Sequence, residues 1–144
     1  MHRPVRDILA RKGRQVVVVE PGATVLQAVE RMNEHRVGAL VVVEDGKFVG
    51  IVTERDILTR LVAKERSPRE TRVSDIMTRE AVSILPTATV EQAMKMVTEN
   101  RYRHLPVVQA GKLVGMISAG DLTHFIVHDQ KLRIGDLVSY ITPG

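Results

Sequence analysis

The sequence predicts an α/β fold of the α+β kind, in which two β-α-β-β-α units related by a pseudo-twofold axis pack through their sheets. Three observations lead there. Residues 21–58 lie over residues 86–123 at a constant offset of 65, without a gap. Of those 38 aligned positions 16 are identical, against roughly one in fifteen for unrelated chains of ordinary composition. Within each copy, apolar residues recur first at helical spacing and then as short runs split by turn dipeptides. A three-stranded sheet with two helices on one face also leaves apolar surface uncovered. A unit of about 60 residues is marginal alone, and continuous valine runs such as Val41-Val42-Val43 suit strands buried on both sides.

Each element rests on local signals. Short strands over residues 16–19 and 82–84 lead into the units. Thr24 and Thr89 then open helices with apolar faces Val25, Ala28, Val29, Met32 and Val90, Ala93, Met94, Val97. Gln27 and Gln92, three residues on, complete the capping-box pattern. Strands come next over 39–43 and 105–108. Asp45-Gly46 and Ala110-Gly111 turn the chain into strands 47–52 and 112–117. Thr53 and Ser118 open second helices, with Ile57, Leu58, Leu61 and Val62 as the apolar face in the first copy. A shorter element recurs as Val5-Arg6-Asp7-Ile8-Leu9, Val73-Ser74-Asp75-Ile76-Met77 and Ile134-Gly135-Asp136-Leu137-Val138. The expected boundaries are 1–66 for the first unit with its N-terminal lead-in, 67–72 for the linker around Ser67-Pro68, and 73–144 for the second unit with a C-terminal return helix.

Composition narrows the function classes. The chain has 144 residues, 44% hydrophobic and 26% charged, which fits a soluble globular protein. Aromatics are only 3% and Trp is absent, so the core must be aliphatic. Without Cys there is no disulfide, thiolate nucleophile or zinc–thiolate site. The charged N-terminus lacks an apolar signal region, and the longest apolar runs are too short to span a bilayer. A cytoplasmic protein is expected, with no membrane partner. A net charge of +4 suits phosphate-bearing ligands, yet the basic residues are scattered and few aromatics exist to stack bases, which disfavours nucleic acid.

Thr53-Glu54-Arg55-Asp56 and Ser118-Ala119-Gly120-Asp121, together with Arg103-His104-Leu105-Pro106 and Gly111-Lys112-Leu113-Val114-Gly115, resemble the tandem cystathionine-β-synthase (CBS) domain family in order and in both copies. The resemblance covers nearly the whole chain and points to a stand-alone pair of the bacterial or archaeal type. It implies a regulatory, non-catalytic module that binds an adenosine-containing ligand, AMP foremost, with ATP, ADP, NAD or S-adenosylmethionine as alternatives. It also implies a homodimer and an effector protein of unknown identity. No catalytic cofactor and no metal are implied. Two rival readings remain: a protein–protein adaptor with vestigial pockets, and a nucleotide-acting enzyme. The latter lacks a Walker-type glycine loop and a nucleophile–base constellation.

By that resemblance Asp56 and Asp121 would hold ribose, with Thr53 and Ser118 on the phosphate side. The plainer reading is a helix cap with an acid at the third position. Asp is shorter than the usual Glu or Gln and less suited to reach back to the cap, while its recurrence in both copies is what a ribose-binding carboxylate requires, since it accepts from both hydroxyls of a diol. Gly38, Ala39 and Leu40, and Arg103, His104, Leu105 and Pro106, would line adenine slots; the plainer reading is a core strand. Val16 and Val82 would form the opposite walls. Arg55 and Arg103 offer forked donors to phosphate, or are solvated surface residues. Small residues at 38 and 39 leave more room in the first slot, so the two pockets should differ. His124 and His128 stand four apart on a helix, and a metal there is not expected.

Overall fold

A computed structural model describes residues 3–13, 15–79 and 82–129. The recurrence over 134–138, the end of the 73–144 unit and its return helix lie outside the described residues. The elements run α1 (Val5–Lys12), β1 (Val18–Val19), α2 (Val25–His35), β2 (Ala39–Glu44), β3 (Lys47–Thr53) and α3 (Glu54–Ile57), which continues as a π-helical turn, Leu58–Val62. Then come α4 (Val73–Ile76), β4 (Thr78–Arg79), α5 (Val90–Asn100), β5 (His104–Gln109), β6 (Lys112–Ser118) and α6 (Ala119–Asp129).

The repeat is realised in matching geometry. Thr24 and Thr89 cap α2 and α5 in full capping boxes with Gln27 and Gln92. Both helices end at an arginine in the left-handed region, Arg36 and Arg101. The β2–β3 and β5–β6 hairpins turn on Asp45-Gly46 and Ala110-Gly111, all four residues at positive φ, as a two-residue primed turn requires. Both hairpins shift register at the same place, between Val42 and Val43 and between Val107 and Val108.

The lead-in strands are shorter than the sequence suggests. β1 covers two residues, paired in parallel with β2, and its counterpart is a single parallel bridge from Ile84 to Val107. Val16 and Val82 lie outside regular strands, both half-buried. A strand not foreseen, β4, pairs antiparallel with β3 and gives a four-stranded sheet β1-β2-β3-β4, while β5 and β6 form a two-stranded one. The two sheets pack through β3 and β6, and Phe48 N–H donates to Gly111 O across the interface at 3.2 Å.

Core membership cuts across the chain order. Val5, Ile8 and Leu9 of α1 join the core of α5, β5, β6 and α6. Val73, Ile76 and Met77 join the core of α2, β2 and β3. The exchange is symmetric down to the backbone. Val5 and Arg6 N–H donate to Ala88 O and Pro86 O, while Val73 and Ser74 donate to Ala23 O and Pro21 O. The first turn of α2 is satisfied by the linker, Val25 N–H to Thr71 O and Leu26 N–H to Pro68 O. Glycines at equivalent positions admit the exchanged segments. A Cβ on Gly50 would meet Thr78 O at 2.6 Å, and one on Gly115 would meet Leu9 Cδ2 at 2.8 Å.

The second helix of the first unit departs from expectation. Leu61 is buried and Ile57 half-buried, but Leu58 and Val62 stand 61% and 58% exposed. The α-to-π change after Ile57 alters the spacing, so the apolar face the sequence predicts does not point one way. The apolar residues of α2 and α5, the helix faces the sequence offers for a homodimer, are packed into or against their own cores.

Candidate functional site

Each unit brings a strand start and a helix start together. In the first, Glu54 N–H donates to Gly38 O at 3.1 Å, joining β2 to the head of α3. In the second, Ala119 N–H donates to Arg103 O at 2.9 Å, joining β5 to the head of α6. Thr53 with Asp56, and Ser118 with Asp121, stand at these heads.

Both aspartates reach back to their caps, against the expectation that Asp is too short. Thr53 N–H donates to Asp56 Oδ2 at 2.9 Å, and Asp56 N–H donates to Thr53 Oγ1 at 3.2 Å. Ser118 N–H donates to Asp121 Oδ2 at 2.8 Å, and Asp121 N–H donates to Ser118 Oγ at 3.0 Å. The cap residue lies in extended backbone at Thr53, with φ −121° and ψ 167°. That turns its N–H back toward the helix within reach of a two-atom carboxyl stem. The capping reading is therefore realised in both copies.

Beyond the caps the two sites diverge. Asp56 is only 7% exposed. Thr78 donates its hydroxyl to Oδ1 at 3.1 Å, the Thr53 hydroxyl lies 3.1 Å from Oδ2, and Arg60 Nε stands 3.9 Å from Oδ1. Arg60 Nη1 also donates to Ile76 O and Met77 O, tying the site to α4. The first site is closed by its own contacts. Its expected extra room is absent as well: the Glu54 side chain covers Gly38, and a Cβ there would collide with Glu54 Oε1.

Asp121 is more open. Lys12, at the end of α1, donates to Asp121 Oδ2 at 2.6 Å and to Met116 O at 2.8 Å. The hydrogen bonds from Lys12 and from Ser118 N–H both end on Oδ2, and the side chain is 27% exposed. Burial opposes its ionisation. Even so, the Lys12 hydrogen bond, the Ser118 N–H and the Lys12 charge hold its pKa below the ordinary value. His104, half-buried beside it, is pushed down, first by burial and then by the Arg103 charge, with Lys12 adding to this. Glu54 of the first unit and Asp121 pull it the other way. Lys12, Arg103, His104, Asp121 and Glu54 thus share one electrostatic neighbourhood across the seam between the units.

The other candidates occupy core or surface positions. Ala39, Leu40 and Leu105 are buried core residues, and Pro106 is buried with its carbonyl accepting from Ile84 N–H at 2.9 Å. Only their backbones could face a ligand. Arg55 and Arg103 are exposed. Val82 packs against the second core. Lys12, Arg60 and Thr78 were missed by sequence reasoning; Lys12 and Thr78 reach their aspartates from other stretches of chain, whereas Arg60 stands only four residues from Asp56. Lys12 carried one signal, its place three residues beyond the thrice-repeated element. No described helix is long and apolar enough to cross a membrane.

Comparison with known proteins places these features. The family model for the CBS domain matches residues 5–63 and 73–128. The chain is 37% identical over 149 residues to the mitochondrial CBS domain-containing protein CBSX3 of Arabidopsis thaliana, covering 97% of this chain and 72% of that one. A Burkholderia ambifaria protein with CBS domains, described as a candidate for signal transduction, is 41% identical in structure-based alignment. It has a TM-score of 0.82 over 88% of this chain and 96% of its own. CBSX2, solved in complex with AMP, is 26% identical, with a TM-score of 0.75 over 89% of this chain and 98% of its own.

Proposed function

Since the chain belongs to the CBS-domain family, we propose that it is a non-catalytic regulatory module whose second site, at the head of α6, takes an adenosine-containing ligand. AMP is the first choice, with ATP or NAD as alternatives. The observation that carries this reading is the part-exposed Asp121 carboxylate set among Lys12, Arg103 and His104. A carboxylate oxygen accepts from a ribose diol. The neighbouring cations and the N–H groups at the start of α6 suit phosphate. The AMP complex of CBSX2, the same fold, supports the choice of ligand. Arg103 would swing from solvent toward the phosphate, and the backbone of residues 103–106 would face the base. The first site, with Thr53, Arg55 and Asp56 beside Gly38–Leu40, would bind more weakly, because a ligand there must displace Thr78 and Arg60.

The module is further proposed to act as a homodimer. Val62 and Val127 occupy equivalent positions in the repeat, and both are exposed, at 58% and 49%. Two such apolar points on matching helices suit self-association through a twofold.

Titration calorimetry with AMP, ADP, ATP, NAD and S-adenosylmethionine, with GMP as control, tests the ligand reading. Binding of at least one adenosyl ligand is expected. Asp121→Ala should weaken it by on the order of 1.5–3 kcal/mol, the worth of a hydrogen bond to a charged group. Absence of binding by every adenosyl ligand would overturn the reading and leave the adaptor alternative in its place.

A further inference from the structure

The proposed ligand site leaves one cluster of chemistry-bearing side chains unused: the histidines on the outer face of α6. His124 and His128 are one helical turn apart, both exposed, with ring centroids 6.0 Å apart and planes only 11° from parallel. Leu122, Phe125 and Ile126 carry the buried face of the same helix, so the two imidazoles rise together from the opposite side.

From this geometry we infer that His124 and His128 form a chelating site for a divalent transition metal that prefers imidazole nitrogen, such as Ni²⁺ or Zn²⁺. A metal held at about 2.0–2.1 Å from one nitrogen of each ring places those nitrogens about 3 Å apart. The rings already stand side by side on a rigid helix, and both are in solvent. Both side chains are exposed, so the rotation that chelation requires is not opposed by core packing. Paired histidines at this spacing on one helix face are a recurring ligand arrangement for zinc. Among the described residues no set of three or more His, Cys, Asp or Glu gathers. Asp121, one turn earlier, is committed to Lys12 and Ser118 through Oδ2. The site therefore supplies two protein ligands, and water fills the remaining positions. Such a site exchanges metal readily rather than acting as a closed structural site.

Titration of the chain with Ni²⁺ and with Zn²⁺ at about pH 7.5, where imidazole is available as a neutral ligand, is the test. It is repeated on His124→Ala, His128→Ala, the double variant and His35→Ala. Ni²⁺ is expected to bind one site per chain more tightly than Zn²⁺ does when ligands and geometry are alike. Either α6 substitution should weaken binding by about ten-fold or more, because the second ligand acts at high effective concentration. The double variant should be little worse than either single one, and His35→Ala should match the parent. Both α6 histidines are exposed, and unchanged far-UV circular dichroism of each variant separates metal loss from unfolding. No saturable binding, affinity that survives either α6 substitution, or an equal loss in His35→Ala overturns the assignment.

Discussion

Replacing the two helix-start aspartates by alanine should have unequal effects on stability, although the sequence presents them as equivalents. Asp56→Ala removes the acceptor of the reciprocal capping-box bond from Thr53 N–H, worth about 1 kcal/mol, while the Thr53 hydroxyl keeps the backbone N–H of residue 56. It also strips the Thr78 hydroxyl of its acceptor in a part-buried site, where an unsatisfied polar group costs about 1–3 kcal/mol. Arg60 loses the carboxylate 3.9 Å away but keeps Ile76 O and Met77 O, so that pair adds little. The sum is about 3 kcal/mol, a large part of the stability of a small domain. Asp121→Ala loses the same reciprocal bond, here from Ser118 N–H, and the Lys12 partner. Lys12 and Asp121 side chains are 34% and 27% exposed, Lys12 retains Met116 O and gains water, and the cost should stay near 1–1.5 kcal/mol, since partly exposed pairs contribute little. Urea unfolding followed by circular dichroism reads the difference as a shift in midpoint at constant slope. Equal shifts for the two variants, or a larger one for Asp121→Ala, would refute the claim that Thr78 and burial make Asp56 structural.

A double-mutant cycle over Lys12→Met and Asp121→Asn should return a coupling of about 0.5–1 kcal/mol; additivity within about 0.3 kcal/mol would show that the 2.6 Å contact carries no stability. His104 and Asp121 both have depressed pKa values in the folded protein, so the unfolded chain binds more protons and stability falls as pH falls. The His104 contribution should fade from its ordinary value of 6.5 downward and the Asp121 contribution from 3.8 downward. His104→Gln should therefore flatten the first limb of a denaturation-versus-pH series while leaving the second, and an unchanged first limb would contradict the assignment. If the chain dimerises through its second helices, sedimentation should give about twice 16.0 kDa, and Val62→Asp with Val127→Asp should return the monomer; a parent chain that is monomeric with and without AMP removes the dimer.

Local chemistry was legible in the sequence wherever it depends on neighbours in the chain. Thr24 with Gln27, and Thr89 with Gln92, signal capping boxes, and the structure forms both. Asp45-Gly46 signals a hairpin because those residues tolerate positive φ, and the less obvious Ala110-Gly111 adopts the same turn. Association between distant segments was not legible. The apolar faces of α1 and α4 announce burial without saying in which core. β4 has two residues and no alternation to detect. At the candidate sites the serine, threonine and aspartate positions could be read, since the repeat marks them. Their accessibility could not, because it is decided chiefly by Thr78 and Lys12, whose contacts span 22 and 109 residues of sequence. Gly38 shows the same limit. A missing side chain reads as space until a neighbour, here Glu54, is found lying across it.

The exchange of α1 and α4 gives these differences a common origin. Each lead-in segment starts on the loop that precedes the first helix of the unit it joins, and ends at a helix-start carboxylate. α1 begins at Ala88 O and delivers Lys12 to Asp121, while α4 begins at Ala23 O and leads into Thr78 at Asp56. The two deliveries differ in how firmly the delivered residue is held. Thr78 lies in β4, paired with β3 and flanked by the buried Met77, so releasing it from Asp56 disturbs a sheet edge and a core. Lys12 is the last residue of α1 and is partly in solvent, so releasing it from Asp121 disturbs only a charged contact. A ligand that competes for the carboxylate meets a small barrier at the second site and a large one at the first. The duplication therefore favours one exchangeable site and one structural site. Under the proposed function, a ligand at the exchangeable site would act on α1, whose other end is packed in the second core. It can shift the packing of the units only by binding the Lys12-released state more tightly than the Lys12-bound one.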